Sequence, residues 1–529
     1  MSKPSFLSRL KSLRPLLPLV LAVLGPVSGM PAAAAEPAFD IYEYVIDGNS
    51  LLSGLTIEDT VSPFLGERKT LADVEAARAA LERRYHDAGF LTVVVAIPEQ
   101  QVDAGAVALH VVEATVDRLR VKGAGYTLPS EIKDKVPELA EGRVPNFTAL
   151  QAQLAVANRS ADTRVTPVLR AGALPGTVEV QLDIDDQLPF HGSVEFSDRQ
   201  TPNTTPQRLS ASLRYDNLWQ LGHSIGLTLQ TAPQRTADAS VQSLNYLVPH
   251  GSGGDAFSLF YVHSRSDFAS LGNSPGLGLL GNSDTLGWRH TWRLPAPEDG
   301  NQTLALGLDY RNVKQSLVVL GADSTDSPIV YVPAIASYSG ALYGDDRSSS
   351  LDLNASIGLR GLFGNSDAKF TAKRADASAN FIALRALMQH SETLSRWVLN
   401  GKLEAQIATG PLIPNDQFTA GGADSVRGYL EGERSGDAGL RASFELRTPP
   451  WAPAGTAAAW RLTGLGFLDL ARVNTLHTEI KSLGGAGLGL RLTAPRGLNL
   501  EADAARALTD GDATRSGDLR IHARALWSF

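Results

Sequence analysis

Apolar and polar residues alternate along the second half of the chain, in segments of roughly ten residues separated by turns or longer polar loops. In "NQTLALGLDYR", residues 301–311, one face would carry Leu304, Leu306, Leu308 and Tyr310, and the other Thr303, Ala305, Gly307, Asp309 and Arg311. A period of two sustained over this length predicts strands. About sixteen such segments fall between residues 189 and 529. We therefore predict a transmembrane β-barrel of about 16 antiparallel strands over this range.

A soluble β-sandwich would show the same alternation, so further features must favour the membrane barrel. The chain ends on the apolar Phe529, at the close of the alternating segment "DLRIHARALWSF". The tryptophans all lie in this half, mostly near predicted strand ends, where an aromatic girdle would meet the membrane interface. They are Trp219, Trp288, Trp292, Trp397, Trp451, Trp460 and Trp527. Three features therefore favour the membrane barrel: the apolar Phe529 at the end of the last strand, the positions of the tryptophans, and a targeting segment that lacks a helical anchor.

That targeting segment has the three parts of a secretory signal peptide. A basic region comes first, followed by the apolar stretch "LLPLVLAVL" at 16–24 and the small residues "PAAAAE" at 31–36. The alternative is an N-terminal membrane anchor, but the apolar stretch is interrupted by Pro18 and is far shorter than the roughly 20 residues that a spanning helix needs. We predict a signal peptide over residues 1–35, cleaved after Ala35.

Residues between the signal peptide and the barrel show a mixed α/β pattern that occurs twice, over 37–114 and 115–188. Each copy predicts a strand, two helices and two strands, in that order. In the first copy the longer helix would begin at a capping box of Thr70 and Asp73 and end at Gly89. Its apolar face would carry Leu71, Val74, Ala77, Leu81 and Tyr85.

Such small three-stranded modules leave at least one strand edge open. An open edge is a template to which an extended peptide adds as a further strand. The alternative is an inert spacer with blunted edges, and the residues alone favour neither.

The composition and motifs of the chain argue against several classes of binding and catalytic site. The net charge is −8 with acidic and basic residues interspersed, which gives no footprint for nucleic-acid binding. Cysteine is absent, which excludes disulfides, thiolate nucleophiles, zinc ribbons and iron–sulfur clusters. The ten histidines show no metal-ligand spacing, and the chain has no nucleophile elbow or phosphate loop. We predict no enzyme activity, no catalytic residue, no cofactor and no metal site.

Two short motifs resemble functional sites, but the prediction for both is structural. "DIDD" at 183–186 lacks the turn glycine and distal glutamate of a calcium loop, so we interpret it as solvated charge. "GGAGLGLR" at 484–491 resembles part of a dinucleotide fingerprint, but no helix follows it. Gly487 and Gly489 alternate with leucines, as small residues facing a barrel lumen would.

One loop motif, "GGADSVRGYLEGE" at 421–433, contains apolar residues that need cover. Surface loops tolerate Val426 and Tyr429 poorly when nothing packs on them, so the motif predicts a loop that contacts another part of the protein. Taken by itself, Arg427 would be an ordinary surface charge.

The chain as a whole resembles the outer-membrane transporters of two-partner secretion, also called the hemolysin secretion/activation family, within the superfamily of barrels that carry POTRA modules. The signal peptide, the two modules and the predicted strands carry this resemblance over nearly the whole mature chain. Its most specific elements are "VRGY" at 426–429 and "GFLDLARV" at 466–473, and "GFLTVVVAIPEQ" at 89–100 in the first module also matches the family pattern.

The resemblance implies roles for the loop motif. In this family the VRGY loop is a long extracellular loop that folds back into the barrel, where its arginine meets an acidic residue of the wall. These roles carry over onto Arg427 and Asp469, with Phe467 on the same wall strand. The loop motif comprises Gly421, Gly422, Ser425, Val426, Arg427, Gly428 and Tyr429. The strand count independently predicts that 410–438 connects the eleventh and twelfth strands, on the side of the long loops.

Two features depart from the family pattern. Ala471 stands where the wall strand usually has glycine. Between Ala35 and the first strand at Phe39 there is no room for the N-terminal plug helix that some members have, so we expect that the chain lacks a plug or that the loop alone closes the lumen.

The resemblance further implies a function. It predicts a barrel embedded in the lipid of a Gram-negative outer membrane, with POTRA-like modules in the periplasm. The protein would capture an unfolded exoprotein that becomes β-helical when folded, and would secrete it to the cell surface. One alternative is an insertase that assembles other barrels, although such factors usually carry more modules. A passive porin is the other, and it would need neither the modules nor the VRGY loop.

Overall fold

The computed structural model describes residues 38–529 except for 103, 252, 271–277, 315, 318–324, 327 and 453–459. The predicted signal peptide lies outside the described residues. Within the described part, no helix is long and apolar enough to cross a membrane. The described residues divide into two compact units, one ending at Ala114 and the other spanning Thr115–Phe529.

The first unit is a small α/β module. Its elements are β1 (Phe39–Ile41), β2 (Glu43–Asp47), α1 (Gly54–Val61), a 3₁₀ turn (Ser62–Phe64), β3 (Gly66–Lys69), α2 (Leu71–Asp87), β4 (Val93–Ala96) and β5 (Ala106–Glu113). The main sheet has the order β2-β5-β4, with β2 parallel and β4 antiparallel to the central β5. The short β1 and β3 form a separate antiparallel ladder.

Helix α2 packs on this sheet through the apolar face that the sequence predicts, with one exception. The capping box is present, and the Thr70 N–H donates to Asp73 Oδ2 at 2.8 Å. Its core residues are Val74, Ala77, Leu81 and Tyr85, all almost fully buried. Leu71 is instead 60% exposed, so its prediction as a core residue is wrong. Side chains tilt toward the N-terminus of a helix, and in the first turn that direction leads away from the sheet.

The second unit begins with a module of the same design. Its elements are β6 (Thr115–Lys122), α3 (Pro129–Asp134), a 3₁₀ turn (Pro137–Leu139), α4 (Phe147–Ala157), β7 (Thr163–Ala171) and β8 (Thr177–Asp186). The sheet order is β6-β8-β7, with β6 parallel and β7 antiparallel to the central β8. Ile132, Leu150 and Leu182 belong to its buried core.

The remaining residues form a closed barrel with its connecting loops. The elements are β9 (Phe190–Ser197), β10 (Arg208–Leu218), β11 (His223–Thr231), β12 (Ala239–His250), β13 (Asp255–Ser270), β14 (Gly278–Leu294), β15 (Gly300–Val313), β16 (Ser316–Leu317), β17 (Thr325–Asp326), β18 (Ile329–Tyr331), β19 (Pro333–Tyr343), β20 (Arg347–Gly358), a 3₁₀ turn (Leu362–Gly364), α5 (Asp367–Lys373), β21 (Ile382–Leu394), β22 (Trp397–Ala408), a 3₁₀ turn (Pro414–Asp416), β23 (Phe418–Ala420), β24 (Arg434–Gly436), β25 (Ala438–Arg447), β26 (Arg461–Thr475), β27 (Glu479–Thr493), β28 (Leu498–Ala507) and β29 (Leu519–Ser528).

Sixteen of these strands close the barrel, where β18 and β19 count as two pieces of the eighth strand because both pair with β15. The pairs β16–β17 and β23–β24 lie in loops outside the barrel wall. All neighbours in the wall are antiparallel, and the last strand pairs with the first between Arg524 opposite Ser197 and Ser528 opposite Ser193. The closed cylinder confirms the predicted fold class.

Side chains alternate between the two faces of the barrel wall as the sequence predicts. Leu306 and Leu308 are 43% and 45% exposed on the outer face, whereas Asp309 is fully buried inside. On the last strand, Leu519 and Ile521 point outward and His522 is buried. An apolar outer face and a polar inner face are the pattern of a barrel in lipid.

The barrel has two different ends. Its first strand starts at Phe190, directly after the second module, and we call this the module end. The connections at the module end include 219–222, 251–254, 295–299, 344–346, 395–396 and 494–497. The opposite end carries the longer connections 359–381 and 409–437. All the tryptophans lie in the half of the barrel nearer the module end, so this aromatic belt marks one rim.

The second module contacts the module end of the barrel. In the turn after β10, Gln220 Nε2 donates to the Tyr126 carbonyl at 3.0 Å, and the Leu128 N–H donates to Gln220 Oε1 at 3.0 Å. Asp186 also bonds to this segment of the module, through the backbone N–H groups of residues 125–127.

Asp186 is the last residue of the "DIDD" motif, and it corrects the interpretation of that motif. Its Oδ2 accepts the backbone N–H groups of Gly125, Tyr126 and Thr127 at 3.0, 2.7 and 2.8 Å. Burial raises the pKa of Asp186, but these N–H groups lower it by more, so the pKa lies below that of an ordinary aspartate. This carboxylate anchors a loop and is not a freely solvated charge.

Candidate functional site

The candidate site is the loop between β22 and β25, residues 409–437, which we call the inner loop. These strands are the eleventh and twelfth of the barrel, as the strand count predicts. Strands β23 and β24 pair to form its stem. The residues between them, 421–433, form the tip, and the tip contacts side chains on the inner face of the barrel.

The tip begins at two glycines in unusual backbone conformations. Gly421 and Gly422 have φ angles of 106° and 108°, which side-chain-bearing residues rarely adopt. A Cβ on Gly422 would lie only 2.2 Å from the carboxylate of Glu431, which folds across it. The hydroxyl of Ser425 accepts the Gly421 N–H at 3.2 Å. These contacts close the tip into a compact turn.

Arg427 bonds the tip to several side chains of the wall, and its side chain is only 4% exposed. Its Nε donates to Asp469 Oδ2 at 2.7 Å and its Nη2 to Asp469 Oδ1 at 2.9 Å. The Arg427 N–H also donates to Asp469 Oδ2, at 3.1 Å. Asp469 lies on β26 and is fully buried. A two-pronged pair of this kind fixes orientation as well as charge.

The guanidinium of Arg427 has further partners on the barrel wall. Its Nη1 donates to Glu445 Oε1 at 2.7 Å and lies 3.6 Å from Asp503 Oδ2. Its Cζ lies 3.5 Å from the ring centre of Phe467, in a cation–π arrangement. Burial lowers the pKa of the guanidinium, but these carboxylates hold its pKa above the ordinary value of arginine. Arg427 therefore remains charged inside the lumen.

The charges around Arg427 are matched. Glu445 also accepts from Arg447 Nη2 at 2.7 Å, and Asp503 accepts from both Nη atoms of Arg491 at 2.6 and 2.8 Å. With Asp469, three carboxylates thus face three guanidinium groups. Because buried charges are tolerated only when they are paired, this network explains how the tip holds an arginine away from bulk water.

The apolar residues of the motif are covered by the wall. Val426 and Tyr429 are both fully buried. They belong to a cluster formed by Phe418, Ala420, Val426, Tyr429, Ala471, Val473, Leu483 and Ala507. Ala471 is part of this cluster, so the wall packs against the tip with alanine in place of the usual glycine. Tyr429 Oη accepts the Thr509 N–H at 3.1 Å and lies 2.9 Å from the Gly484 carbonyl oxygen.

Close approach between the tip and the wall depends on glycines. A Cβ on Gly485 of β27 would lie 2.0 Å from the Arg427 carbonyl oxygen. Gly428 has a φ of 99°, and its N–H donates to His522 Nε2 at 3.1 Å. Gly485, Gly487 and Gly489 alternate with the outward-facing Leu488 and Leu490, which are 72% and 53% exposed. The "GGAGLGLR" segment is a strand whose glycines face the lumen.

The structure thus brings together Gly421, Gly422, Ser425, Val426, Arg427, Gly428, Tyr429, Phe467 and Asp469 in one contact region. Sequence reasoning missed Glu445, Asp503, Gly485 and His522. Each occupies an inward position of a strand in which apolar and polar residues alternate, and this alternation predicts from the sequence that the residue faces the lumen. Nothing in the sequence showed which inward positions face the tip.

The tip also bonds to the loop that follows β9. Arg199 forms an ion pair with Asp424, and the Glu431 N–H donates to the Gln200 carbonyl at 2.9 Å. Glu431 itself is buried, and its Oε1 accepts the Ala423 N–H at 2.9 Å. Burial raises the pKa of Glu431 to about 7. The nearby carboxylate of Asp424 also raises this pKa, whereas the positive charge of Arg199 lowers it.

We therefore expect the docking of the tip to depend on pH. A carboxyl group whose pKa is raised in the folded state stabilises that state when protonated. The contribution of Glu431 to docking should be fully present near pH 4.5, the ordinary pKa of glutamate, and about 3 kcal/mol of it should be lost as the pH rises through 7. Hydrogen exchange of residues 421–433 between pH 4 and 8 measures this. Glu431→Gln should remove the dependence, and an unchanged profile in that variant would contradict it.

One group of side chains at the module end has the geometry of a metal site. Ligand atoms of Asp162, His191 and Asp216 lie within 4.8 Å of one another. Asp162 lies in the turn before β7, His191 on β9 and Asp216 on β10, so no sequence spacing predicted them. His191 Nε2 lies 2.9 Å from Asp162 Oδ1, and Arg214 Nε donates to Asp216 Oδ2 at 2.8 Å. Asp216 is thus already paired with the guanidinium of Arg214.

Comparison with known protein families gives two matches. The family described as "Haemolysin secretion/activation protein ShlB/FhaC/HecB" matches residues 176–492, and "POTRA domain, ShlB-type" matches residues 39–114.

Curated relatives agree with these matches. The outer membrane transporter CdiB of Dickeya dadantii (strain 3937) is 24% identical over 425 residues, covering 79% of this chain and 74% of the relative. The outer membrane transporter CdiB of Escherichia coli O6:K15:H31 (strain 536 / UPEC) is 24% identical over 493 residues, covering 88% of this chain and 78% of the relative.

Solved structures share the fold. CdiB from Escherichia coli superposes with a TM-score of 0.63 at 18% identity, covering 95% of this chain and 93% of that chain. BamA from Haemophilus ducreyi lacking POTRA domains 1–3 superposes with a TM-score of 0.57 at 16% identity, covering 93% and 100%. The fold alone therefore does not separate a transporter from a BamA-like barrel. The family match covers more than half of the sequence, and the chain accordingly belongs to the haemolysin secretion/activation family ShlB/FhaC/HecB, the outer-membrane transporters of two-partner secretion.

Proposed function

We propose that this transporter captures its secreted partner as an unfolded, β-rich polypeptide on the POTRA modules and passes it through the barrel to the cell surface. The observation that carries the proposal is the inner loop, which a buried charge network holds inside the lumen. The barrel lies in the outer membrane with its module end toward the periplasm. Cargo that folds into a β-helix outside cannot slide back, which gives the transport its direction.

Capture requires an open strand edge, and the edges of the two sheets differ. The outer edge of β4 is occupied by helix α2, since Val95 N–H donates to Glu82 Oε2 at 3.0 Å and Arg78 Nη1 donates to the Val95 carbonyl at 3.3 Å. In the second module, Asn158 bonds the N–H and carbonyl of Val165 on β7.

Strand β6 is also covered at its edge. The Val116 N–H donates to the Arg143 carbonyl at 2.9 Å, and the Leu119 N–H donates to Glu141 Oε1 at 3.1 Å. In the two three-stranded sheets, β2 is the edge strand whose outer side makes no bond to a side chain or loop at any described residue, 43–47, whereas β7 is bonded on that side at Val165 only. We therefore assign the capture of extended cargo to β2 of the first module.

Substitution on β2 should weaken capture. Val45 is 46% exposed on β2, and Val45→Lys places a charge beside the open edge, a device that blunts strand addition. Binding of the unfolded N-terminal region of the partner to the full-length transporter in detergent should weaken about tenfold, by roughly 1.4 kcal/mol. Fluorescence anisotropy with a labelled segment measures the affinity.

The matched control is Val94→Lys on β4, where Val94 is 54% exposed on the same sheet but the edge is occupied. It should bind as the unsubstituted chain does. Equal losses in both variants would contradict the assignment to β2. Binding of a natively folded control protein as strong as that of the unfolded segment would count against strand addition altogether.

A further inference from the structure

The lumen contains a cavity of about 1300 Å³ that borders both the inner loop and strands β19–β22. Toward the module end, its lining on β20–β22 includes five uncharged polar side chains, which we call the neutral wall, and Lys402, opposite Gln389 on β22, borders them. The five side chains of the neutral wall are Ser348, Ser350, Gln389, Ser391 and Asn400. They lie on three neighbouring strands, where Ser350 is opposite Gln389 and Ser391 is opposite Asn400.

The neutral wall has unused hydrogen-bonding capacity. Within the described residues, none of its five side chains makes a hydrogen bond to another protein group. Asn400 Nδ2 is buried in the wall and has no acceptor. A buried donor without a partner is costly unless a ligand or water supplies one.

The other side of the same cavity is saturated with charge pairs. Arg524 donates to Glu195 Oε2 at 2.8 Å and to Glu501 Oε1 at 3.1 Å. Arg491 pairs with Asp503, and Arg447 with Glu445, as described above. A peptide that bonded to this side would have to displace charge-assisted hydrogen bonds, which are stronger than those between neutral groups.

The tip of the inner loop is attached mainly to the charged side, whereas other parts of the loop also bond to β22, where Gln406 Nε2 donates to the carbonyls of Asp416 and Asp437 at 3.1 Å. Arg427, Gly428 and Tyr429 bond to β25–β29 and to the loop after β28. On the side of β21 and β22, the direct bond to the tip is from Lys402 Nζ to the Asp424 carbonyl, at 3.3 Å. Moving the tip away from β21 and β22 therefore breaks the Lys402 hydrogen bond, whereas moving it away from β25–β29 would break the many bonds of Arg427, Gly428 and Tyr429.

We propose that the neutral wall is the surface along which the extended cargo backbone travels, between this wall and the tip of the inner loop, which stays attached to β25–β29. This inference rests on the proposed function. Peptide N–H and carbonyl groups lose water in a narrow lumen and need replacement partners. Hydroxyl and amide side chains supply both donors and acceptors, and their neutral bonds are weak enough for the chain to advance.

The absence of cysteine in this chain allows a direct test. Ser350→Cys and Ser391→Cys place a thiol on the neutral wall. The matched control Ser193→Cys places one on β9, where Ser193 bonds to Ser212 on the other side of the lumen. Each variant is expressed in cells with the cognate exoprotein, which carries a single cysteine and a C-terminal folded domain that stalls it in the barrel. A bismaleimide then joins thiols that lie close together.

Cross-linking should be at least tenfold stronger at both neutral-wall positions than at Ser193→Cys. Equal or stronger cross-linking at the control position would overturn the proposal. Release of the exoprotein without its folded domain is measured in parallel. If the unsubstituted chain secretes none of it, the proposed function itself fails, whereas normal secretion with the wrong cross-linking pattern rejects only the neutral wall.

Discussion

Arg427→Ala should reduce secretion at least tenfold while the barrel still assembles. Removal of the guanidinium leaves Asp469 buried on β26 without its cation, and breaking a buried pair from one side costs about 3–5 kcal/mol. The strand ladder that holds the barrel does not include this pair, so the barrel should persist. Released from the charged side, the tip would move into the cavity that the cargo needs. Secreted exoprotein at matched barrel levels is the measurement.

Asp469→Ala should have a similar effect, because it leaves the guanidinium in the lumen with fewer partners. The double variant should be less impaired than the sum of the two losses, which is the coupling expected of contacting residues. Arg427→Lys should not restore secretion, since an ammonium cannot bind Asp469 with two prongs and stack on Phe467. Arg396→Ala, at an exposed turn of the module end, is the control and should have no effect. Small and strictly additive losses would make Arg427 an ordinary loop residue.

Gly485→Ala should displace the tip without a change in its charges. The added methyl group would lie 2.0 Å from the Arg427 carbonyl oxygen, a distance that forces the backbones apart. Overpacking of this kind costs about 1–3 kcal/mol, and here it acts on the network that anchors Arg427. Hydrogen exchange of residues 421–433 should accelerate, and secretion should fall.

The adjacent Gly484 provides the control for this variant. A Cβ on Gly484 faces away from the lumen, with its nearest neighbour at 3.5 Å, so Gly484→Ala should leave exchange and secretion unchanged. Because both variants make the same change on one strand, a difference between them isolates the contact with the tip. Equal behaviour of the two would show that the tip does not depend on close approach at Gly485.

Two alternative functions, an insertase and a porin, are disfavoured by different observations. The family match favours a secretion transporter over an insertase, although BamA shares the fold. A porin would need neither the POTRA module matched at residues 39–114 nor a loop anchored in its lumen.

Local patterns predicted most of the architecture. The period of two marked the barrel strands because each residue of such a strand faces either lipid or lumen, and these two environments select opposite side chains. The capping box at Thr70 and the helical face of α2 follow from interactions within a few residues. Leu71 was misassigned because helical spacing does not show where the sheet beneath a helix ends.

Contacts distant in sequence were decided only by closure of the barrel. Arg427 meets Asp469, Glu445 and Asp503 because three strands present inward positions to one loop, and alternation identifies such positions without pairing them. The link to Asp469 came from family resemblance. The same limit applies to the strand edges, since the sequence predicts at least one open edge in each module but not that Glu82 and Arg78 occupy the edge of β4.

The sequence by itself determined the strands, the two modules, the place of the inner loop and the need of Val426 and Tyr429 for cover, because these depend on local periodicity and on the cost of exposing apolar groups. The tertiary structure alone decided which charges neutralise Arg427, which glycine admits the tip and which edge stays open. Those properties depend on distances between segments far apart in the chain, and such distances are fixed only when the sheet closes on itself.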